Sequence, residues 1–276
     1  MSRVWFVTGT SRGFGRVWAE AALGRGDKVA ATARNVAALD DLVDRYGENV
    51  LPITLDVTDR SAVEQAVKTA HAHFGQLDVV VNNAGYGLFA MTEEVTEQQA
   101  RDQFETNVFG ALWVTQAVLP YLRERGSGHL IQVSSIGGLR AFPGLGIYNA
   151  SKWALEGMSQ ALAAEVGGFG IKVTLVEPAG YATDWGGSSA VHSEHVPAYQ
   201  GVREAIAAAW SGSVFGDPQA TAPAILQVVD AGEPPLRLFL GTGLLELMRA
   251  EHAQRIATWE EWNPISEAAM GSHPAS

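Results

Sequence analysis

The sequence predicts an α/β protein built on a doubly wound parallel sheet, and three observations carry that expectation. Short β-branched apolar runs alternate with helical stretches along most of the chain, at the spacing of successive strand–helix–strand units. The first run opens directly into a glycine-rich turn, Gly9-Thr10-Ser11-Arg12-Gly13-Phe14-Gly15. A later helical stretch carries Tyr148 and Lys152 four positions apart, which places them on one face.

In order, residues 4–8 are apolar without alternation, the pattern of a strand buried on both faces. In the turn that follows, Gly9 permits a tight bend. Gly13 and Gly15 let backbone approach a phosphate, and the N-terminus of the next helix, running to Leu23, would receive the anion. A second strand over 28–33 ends in Ala33-Arg34. A helix over 36–46, a strand over 50–55 leading into Asp56-Val57, a helix over 61–74 and a strand over 77–81 ending in Asn82-Asn83-Ala84-Gly85 continue the alternation. Residues 96–125 read as helix with Asn107 inside, a mediocre helix former. A strand over 129–133 ends in Ser134-Ser135, and a glycine-rich loop leads to the helix over 147–165 that holds Tyr148 and Lys152. After a strand over 171–176, residues 181–216 lose periodicity and read as a lid or substrate loop. A helix over 217–230, a strand over 236–240 and a helix over 243–259 complete one expected domain, residues 1–262, with a loosely ordered tail over 263–276.

Composition sets the outer bounds. With 47% hydrophobic residues in 276, the chain can bury one large core. A net charge of −11 and the lack of a Lys/Arg cluster argue against a nucleic-acid partner. The absence of cysteine excludes disulfides, thiolate metal sites and a cysteine nucleophile. His192 and His195 have no third ligand at suitable spacing, so no metal is expected. No apolar run reaches a membrane span and no signal sequence is visible, so a soluble cytoplasmic protein without a membrane partner is expected.

The chemistry centres on the tyrosine and the lysine. Neither a free phenol near pKa 10 nor a free ammonium near 10.4 is a good acid–base at neutral pH. A cation fixed beside the phenol is expected to lower the pKa of Tyr148 toward that range. A hydroxyl from Ser134 or Ser135 could polarise the same substrate oxygen. The set suits moving a proton on or off a carbonyl or alcohol oxygen.

Taken together, Thr8-Gly9-x-x-x-Gly13-x-Gly15, Asn82-Asn83-Ala84-Gly85, Asn107, Ser135 and Tyr148-x-x-x-Lys152 resemble, in order and spacing, the short-chain dehydrogenase/reductases in their compact single-domain branch. The resemblance spans most of the chain. It implies a Rossmann-type, seven-stranded parallel sheet with helices on both faces, and a nicotinamide dinucleotide across its switch point. It assigns Tyr148 as general acid/base, Lys152 to lowering its pKa and binding the nicotinamide ribose, and Asn107 to a water-borne proton relay. It also selects Ser135, thirteen residues before the tyrosine, over Ser134. Gly9, Ser11, Arg12, Gly13, Phe14, Gly15, Arg34, Asp56, Val57, Asn83, Ala84, Gly85, Tyr148, Lys152, Pro178 and Thr183 fall where the family contacts its cofactor. One departure stands out: Ala179 follows Pro178 where the family has glycine, which puts the local loop path in question.

These features imply an NADP(H)-dependent oxidoreductase interconverting a ketone or aldehyde and an alcohol. The alternatives are an isomerase or dehydratase using the same pair, or a sensor that binds NADP(H) without turnover. NADP(H) is expected over NAD(H) because Ala33 stands where NAD readers carry an acid, with Arg34 and Arg12 placed to meet a 2′-phosphate. Leu139, Phe142, Leu145, Tyr181 and Trp185 suggest an apolar or aromatic small-molecule substrate. The resemblance further implies a homodimer or homotetramer.

Overall fold

The computed structural model describes residues 2–271. Its main sheet has seven strands, β1 (Val4–Val7), β2 (Lys28–Ala33), β3 (Val50–Thr54), β4 (Val79–Asn82), β6 (Gly128–Val133), β7 (Ile171–Pro178) and β9 (Arg237–Leu240). They run in the order β3-β2-β1-β4-β6-β7-β9, and every neighbouring pair is parallel. The Rossmann-type, seven-stranded expectation therefore holds.

Alternation along β1 shows why both faces had to be apolar. Trp5 and Val7 enter one core with α1 (Gly13–Gly24), α2 (Asp40–Tyr46) and α8 (Ala222–Asp230). Val4 and Phe6 enter the other with α3 (Arg60–Phe74), α5 (Ala111–Arg125) and α6 (Gly146–Val166). The chain order reverses between β1 and β4, so the carboxyl ends of the strands open a crevice there.

Three details differ from the sequence expectation. The helix expected over 96–125 is two α-helices, α4 (Glu97–Phe104) and α5, joined by a π-helical segment, Glu105–Gly110, that contains Asn107. The lid region is not one loop. It holds the short strand β8 (Val191–His192), paired in parallel with β5 (Leu88–Phe89), and an amphipathic helix α7 (Gln200–Trp210). The closing helix α9 runs Leu244–Met270, through Pro264, so the described part of the expected loose tail is helical. Residues 272–276 of that tail lie outside the described residues. The chain forms two compact units, one ending at Leu240 and the other beginning at Gly241. Among the described residues no helix is long and apolar enough to cross a membrane.

Candidate active site

Every strand-end motif lies at the carboxyl edge of the sheet. At the end of β1, Gly9 has φ +70 and Gly13 φ +62, conformations that side chains rarely adopt. A Cβ on Gly15 would sit 2.4 Å from Asn83 Nδ2 and 2.5 Å from the Gly9 carbonyl oxygen, so only glycine fits. Asn83 fixes this turn. Its Nδ2 donates to the carbonyls of Thr8 (2.9 Å) and Gly9 (3.0 Å), while the backbone N–H groups of Asn83 and Ala84 donate to Thr8 Oγ1. Asn82 instead turns to α5, donating to Thr115 Oγ1 at 3.1 Å. The first turn of α1 carries no acidic residue, and its N-cap Arg12 makes no side-chain cap, which leaves backbone N–H groups for an anion.

Across the crevice, Tyr148 and Lys152 are both buried on α6. The Lys152 ammonium lies 5.9 Å from the centroid of the Tyr148 ring and donates to the Val133 carbonyl at 2.7 Å. The expectation that Lys152 depresses the tyrosine does not hold here. Burial pushes the Tyr148 phenol up to about 12, and the hydrogen bond from Ser135 only partly opposes it. Burial likewise pulls Lys152 down to about 8, opposed by the charge of Glu156. Desolvation wins at both groups because neither side chain reaches water. Of the two candidate serines, Ser135 bonds the phenol and also accepts from the Gly137 N–H at 3.0 Å. Ser134 turns instead toward Glu156, as alternation on an extended strand requires.

Asn107 is buried in the π-helical segment. Its Oδ1 accepts from the Tyr86 N–H at 3.1 Å, and its Nδ2 donates to the Tyr86 carbonyl and to Ser151 Oγ. A Cβ built on Gly85 would lie 3.0 Å from Asn107 Oδ1 and 3.7 Å from Lys152 Nζ, so all three border one space.

The pattern of the short chain dehydrogenase family matches residues 3–192. The chain belongs to the short-chain dehydrogenase family. It is 45% identical over 273 residues to Oxidoreductase BOA17 of Botryotinia fuckeliana, covering 98% of this chain and all of that one. A short-chain dehydrogenase structure from Streptomyces avermitilis superposes with a TM-score of 0.91 at 42% identity, over 97% of this chain and 98% of that one. A short chain dehydrogenase from Burkholderia cenocepacia, solved in complex with NADP, superposes with a TM-score of 0.75 at 26% identity, over 94% and 97% of the two chains. The protein is thus an oxidoreductase by family.

Other residues that the family resemblance singled out take varied places. Thr183 lies over the glycine turn, its Cβ 3.9 Å from where a Cβ on Gly13 would be. Ala179 does not adopt positive φ, so its substitution for the family's glycine leaves the path of Pro178 into the lid unstrained. Asp56 is exposed and accepts from the Thr58 N–H and hydroxyl, whereas Val57 packs against Gly110. Phe14 stacks on Trp18 and meets Tyr181 edge-on, so its side chain and that of Tyr181 serve packing. Ser11 and Arg34 are exposed, and Arg34 has no ionic partner among the described residues. Arg12 is engaged, pairing with Asp184 at 2.8 Å and donating to Ser188 Oγ at 3.1 Å.

Of the expected substrate wall, Trp185 alone stands on Tyr148, with ring centroids 5.0 Å apart. Leu145 is buried beside Ala90, and Phe142 meets Trp210 edge-on at 6.5 Å. Sequence reasoning missed Phe89 and His192, which extend the wall. Phe89 lies 5.0 Å from Trp185 and 5.1 Å from His192, which stacks on it. Gly87 makes room for Trp185, and a Cβ there would come within 2.7 Å of the indole. The β5–β8 pairing brings Phe89 and His192 together, and two-residue strands leave no periodicity to read.

Proposed function

We propose that this protein is an NADP(H)-dependent carbonyl reductase acting on apolar or aromatic ketones and aldehydes, with Tyr148 as the proton donor. The observation that carries the reading is a pair of hydroxyls: half-buried Ser135 bonded to buried Tyr148, against Trp185 and beside Lys152. The glycine turn with its uncapped helix N-terminus suits a pyrophosphate, which Ser11, Gly13, Phe14 and Gly15 would hold through their backbone. Thr183 and Pro178 would bound the nicotinamide end, and Asp56 and Val57 the adenine end. A bound nicotinamide cofactor supplies the hydride.

The residues do the rest. Ser135 donates a hydrogen bond to the substrate oxygen and fixes its position. Tyr148, held at about 12 by burial, is a neutral phenol throughout the physiological range, so it is ready to give a proton to an oxygen that gains charge. That is the protonation state the reductive direction requires. Lys152, while an ammonium, stabilises the phenolate left behind, and Asn107 lies where a water can carry a proton back past Lys152. Trp185 on Tyr148, backed by Phe89 and the exposed His192, offers a flat aromatic wall that favours flat or apolar substrates.

The cofactor choice rests on the end of β2. Ala33 offers no carboxylate to repel a 2′-phosphate, and the Arg34 guanidinium beside it is uncommitted. A charge-assisted hydrogen bond contributes about 1.5–3 kcal/mol, so kcat/KM should favour NADPH over NADH by at least about 10-fold. Comparison of the two cofactors with one aryl ketone tests this. Equal values, or an NADH preference, overturn the cofactor assignment.

A further inference from the structure

One turn beyond Lys152, α6 carries Glu156, so Tyr148, Lys152 and Glu156 follow at intervals of four on one face. A Cβ on Gly138 would lie 2.7 Å from Ser134 Oγ, 3.1 Å from Glu156 Cγ and 3.3 Å from Lys152 Cβ, so these side chains close around that glycine. Glu156 is 5% exposed and Glu177, at the end of β7, is 0% exposed. Between them stands a single cation, Arg237 of β9, at 3.0 Å from Glu156 Oε2 and 3.4 Å from Glu177 Oε1. Arg237 also donates to Gln160.

The two buried carboxyls share one arginine, and their like charges disfavour joint ionisation out of water. Apart from the Ser134 hydroxyl beside Glu156 and the 3.4 Å ion-pair contact of Arg237 with Glu177 Oε1, Glu156 Oε1 and both oxygens of Glu177 lack donors among the described residues, a deficit that one proton shared between the carboxyls reduces. Burial, then the charge of Glu156, pushes Glu177 up to about 8, so the proton resides there at neutral pH. Burial raises Glu156 as well, but the Ser134 hydroxyl and Arg237 oppose the rise, so of the two carboxyls it is the one held as the carboxylate, and its charge opposes the desolvation of Lys152. The charged groups acting on this cluster are Lys152 and Glu156 from α6, Glu177 from β7 and Arg237 from β9.

We infer that Glu156 is a positioning residue for the reaction: its carboxylate, anchored by Arg237 beside a protonated Glu177, keeps Lys152 in the ammonium form that holds the cofactor and stabilises the Tyr148 phenolate. The inference rests on the functional reading above. It is distinct from the Tyr148, Lys152, Ser135 and Asn107 set because Glu156 touches none of the reacting atoms. It acts through the charge of Lys152 alone.

The chain has four lysines, Lys28, Lys68, Lys152 and Lys172, so 13C-labelled lysine gives a spectrum in which Lys152 can be followed through a pH titration of the full chain. The wild-type midpoint is expected near 8. In Glu156→Gln it should fall by about one pH unit or more, the usual effect of removing a close opposite charge. Glu177→Gln should leave it in place, because a neutral amide imitates the protonated carboxyl. Glu156→Asp, which keeps the charge at a shorter reach, should lie between, so the test survives if the glutamine variant does not fold. As a second readout, the pH at which NADPH affinity begins to weaken should drop in step in Glu156→Gln. A folded Glu156→Gln with an unmoved Lys152 midpoint, or equal displacement in Glu177→Gln, overturns the inference. A wild type whose Lys152 titrates as expected but which binds neither NADPH nor NADH overturns the functional reading, and the catalytic sense of Glu156 with it.

Discussion

Tyr148 shows how far a residue's chemistry is set by what surrounds it. The i, i+4 spacing made the tyrosine and lysine legible as partners, but the direction of the pKa effect was not, because spacing carries no information about water. With both side chains buried, desolvation exceeds what a cation 5.9 Å from the ring returns, and the phenol stays protonated. Tyr148→Phe removes only the hydroxyl from this setting. Reductive kcat should fall by about 10² to 10⁴, the range for loss of general acid catalysis, while the NADPH dissociation constant stays near the wild-type value. Near-normal kcat in that variant would remove Tyr148 from the proton-donor role. The adjacent serines make the same point about limits. Alternation said that only one could face the phenol, and the structure resolves the choice by giving Ser134 to Glu156 and Ser135 to Tyr148.

At the scale of elements, the glycine turn was readable because each glycine answers a local steric demand, and Gly15 has no room for any side chain. The π-helical segment around Asn107 was not readable, since a single extra residue per turn leaves the apolar periodicity of 96–125 almost intact. The lid was misread for a different reason. Its helix α7 is short, and the segment is tied down by long-range contacts invisible in sequence: β5 with β8, Tyr199 with Glu93, Arg203 with Glu94, and Asp184 with Arg12. The last of these bears on cofactor choice. Hydrogen bonds from Ser189 and Ser188, joined by the Arg12 charge, hold Asp184 down at about 2, so its carboxylate competes with any phosphate for that guanidinium. Asp184→Asn should therefore raise NADPH affinity relative to NADH by a factor on the order of a few, as expected for release of one exposed ion pair. Fluorescence titration with both dinucleotides measures it, and an unchanged ratio would leave Arg34 as the sole phosphate-binding arginine.

For the whole molecule, the strand–helix alternation gave the sheet because parallel strands buried on both faces must be continuously apolar, as the central strands β1 and β4 are. The division at Leu240 was harder to see, since α9 continues the helical composition of its surroundings across Pro264. Burial in this sheet also sets a pH limit on the fold. His129 lies in β6, 4% exposed, with Nε2 at 2.9 Å from Thr174 Oγ1. The Thr174 hydroxyl donates to the Pro235 carbonyl, so its oxygen must accept and His129 Nε2 must carry the proton. Nδ1 is then bare and buried with no partner among the described residues, and a second proton would have nowhere to bond. Burial first, then the charges of Lys172 and Arg3, depress this imidazole to about 4. A depressed folded-state pKa means that the unfolded chain takes up the proton first, at about 6.5. The stability that His129 contributes is therefore complete above pH 6.5 and is lost as pH falls through 4. Each pKa unit corresponds to about 1.4 kcal/mol, so the loss approaches about 3 kcal/mol. In His129→Gln, which cannot charge, urea-unfolding free energy should decline less steeply between pH 6.5 and 4, by up to about 1.4 kcal/mol per pH unit. Parallel slopes in the two proteins would mean that His129 is already protonated in the folded sheet.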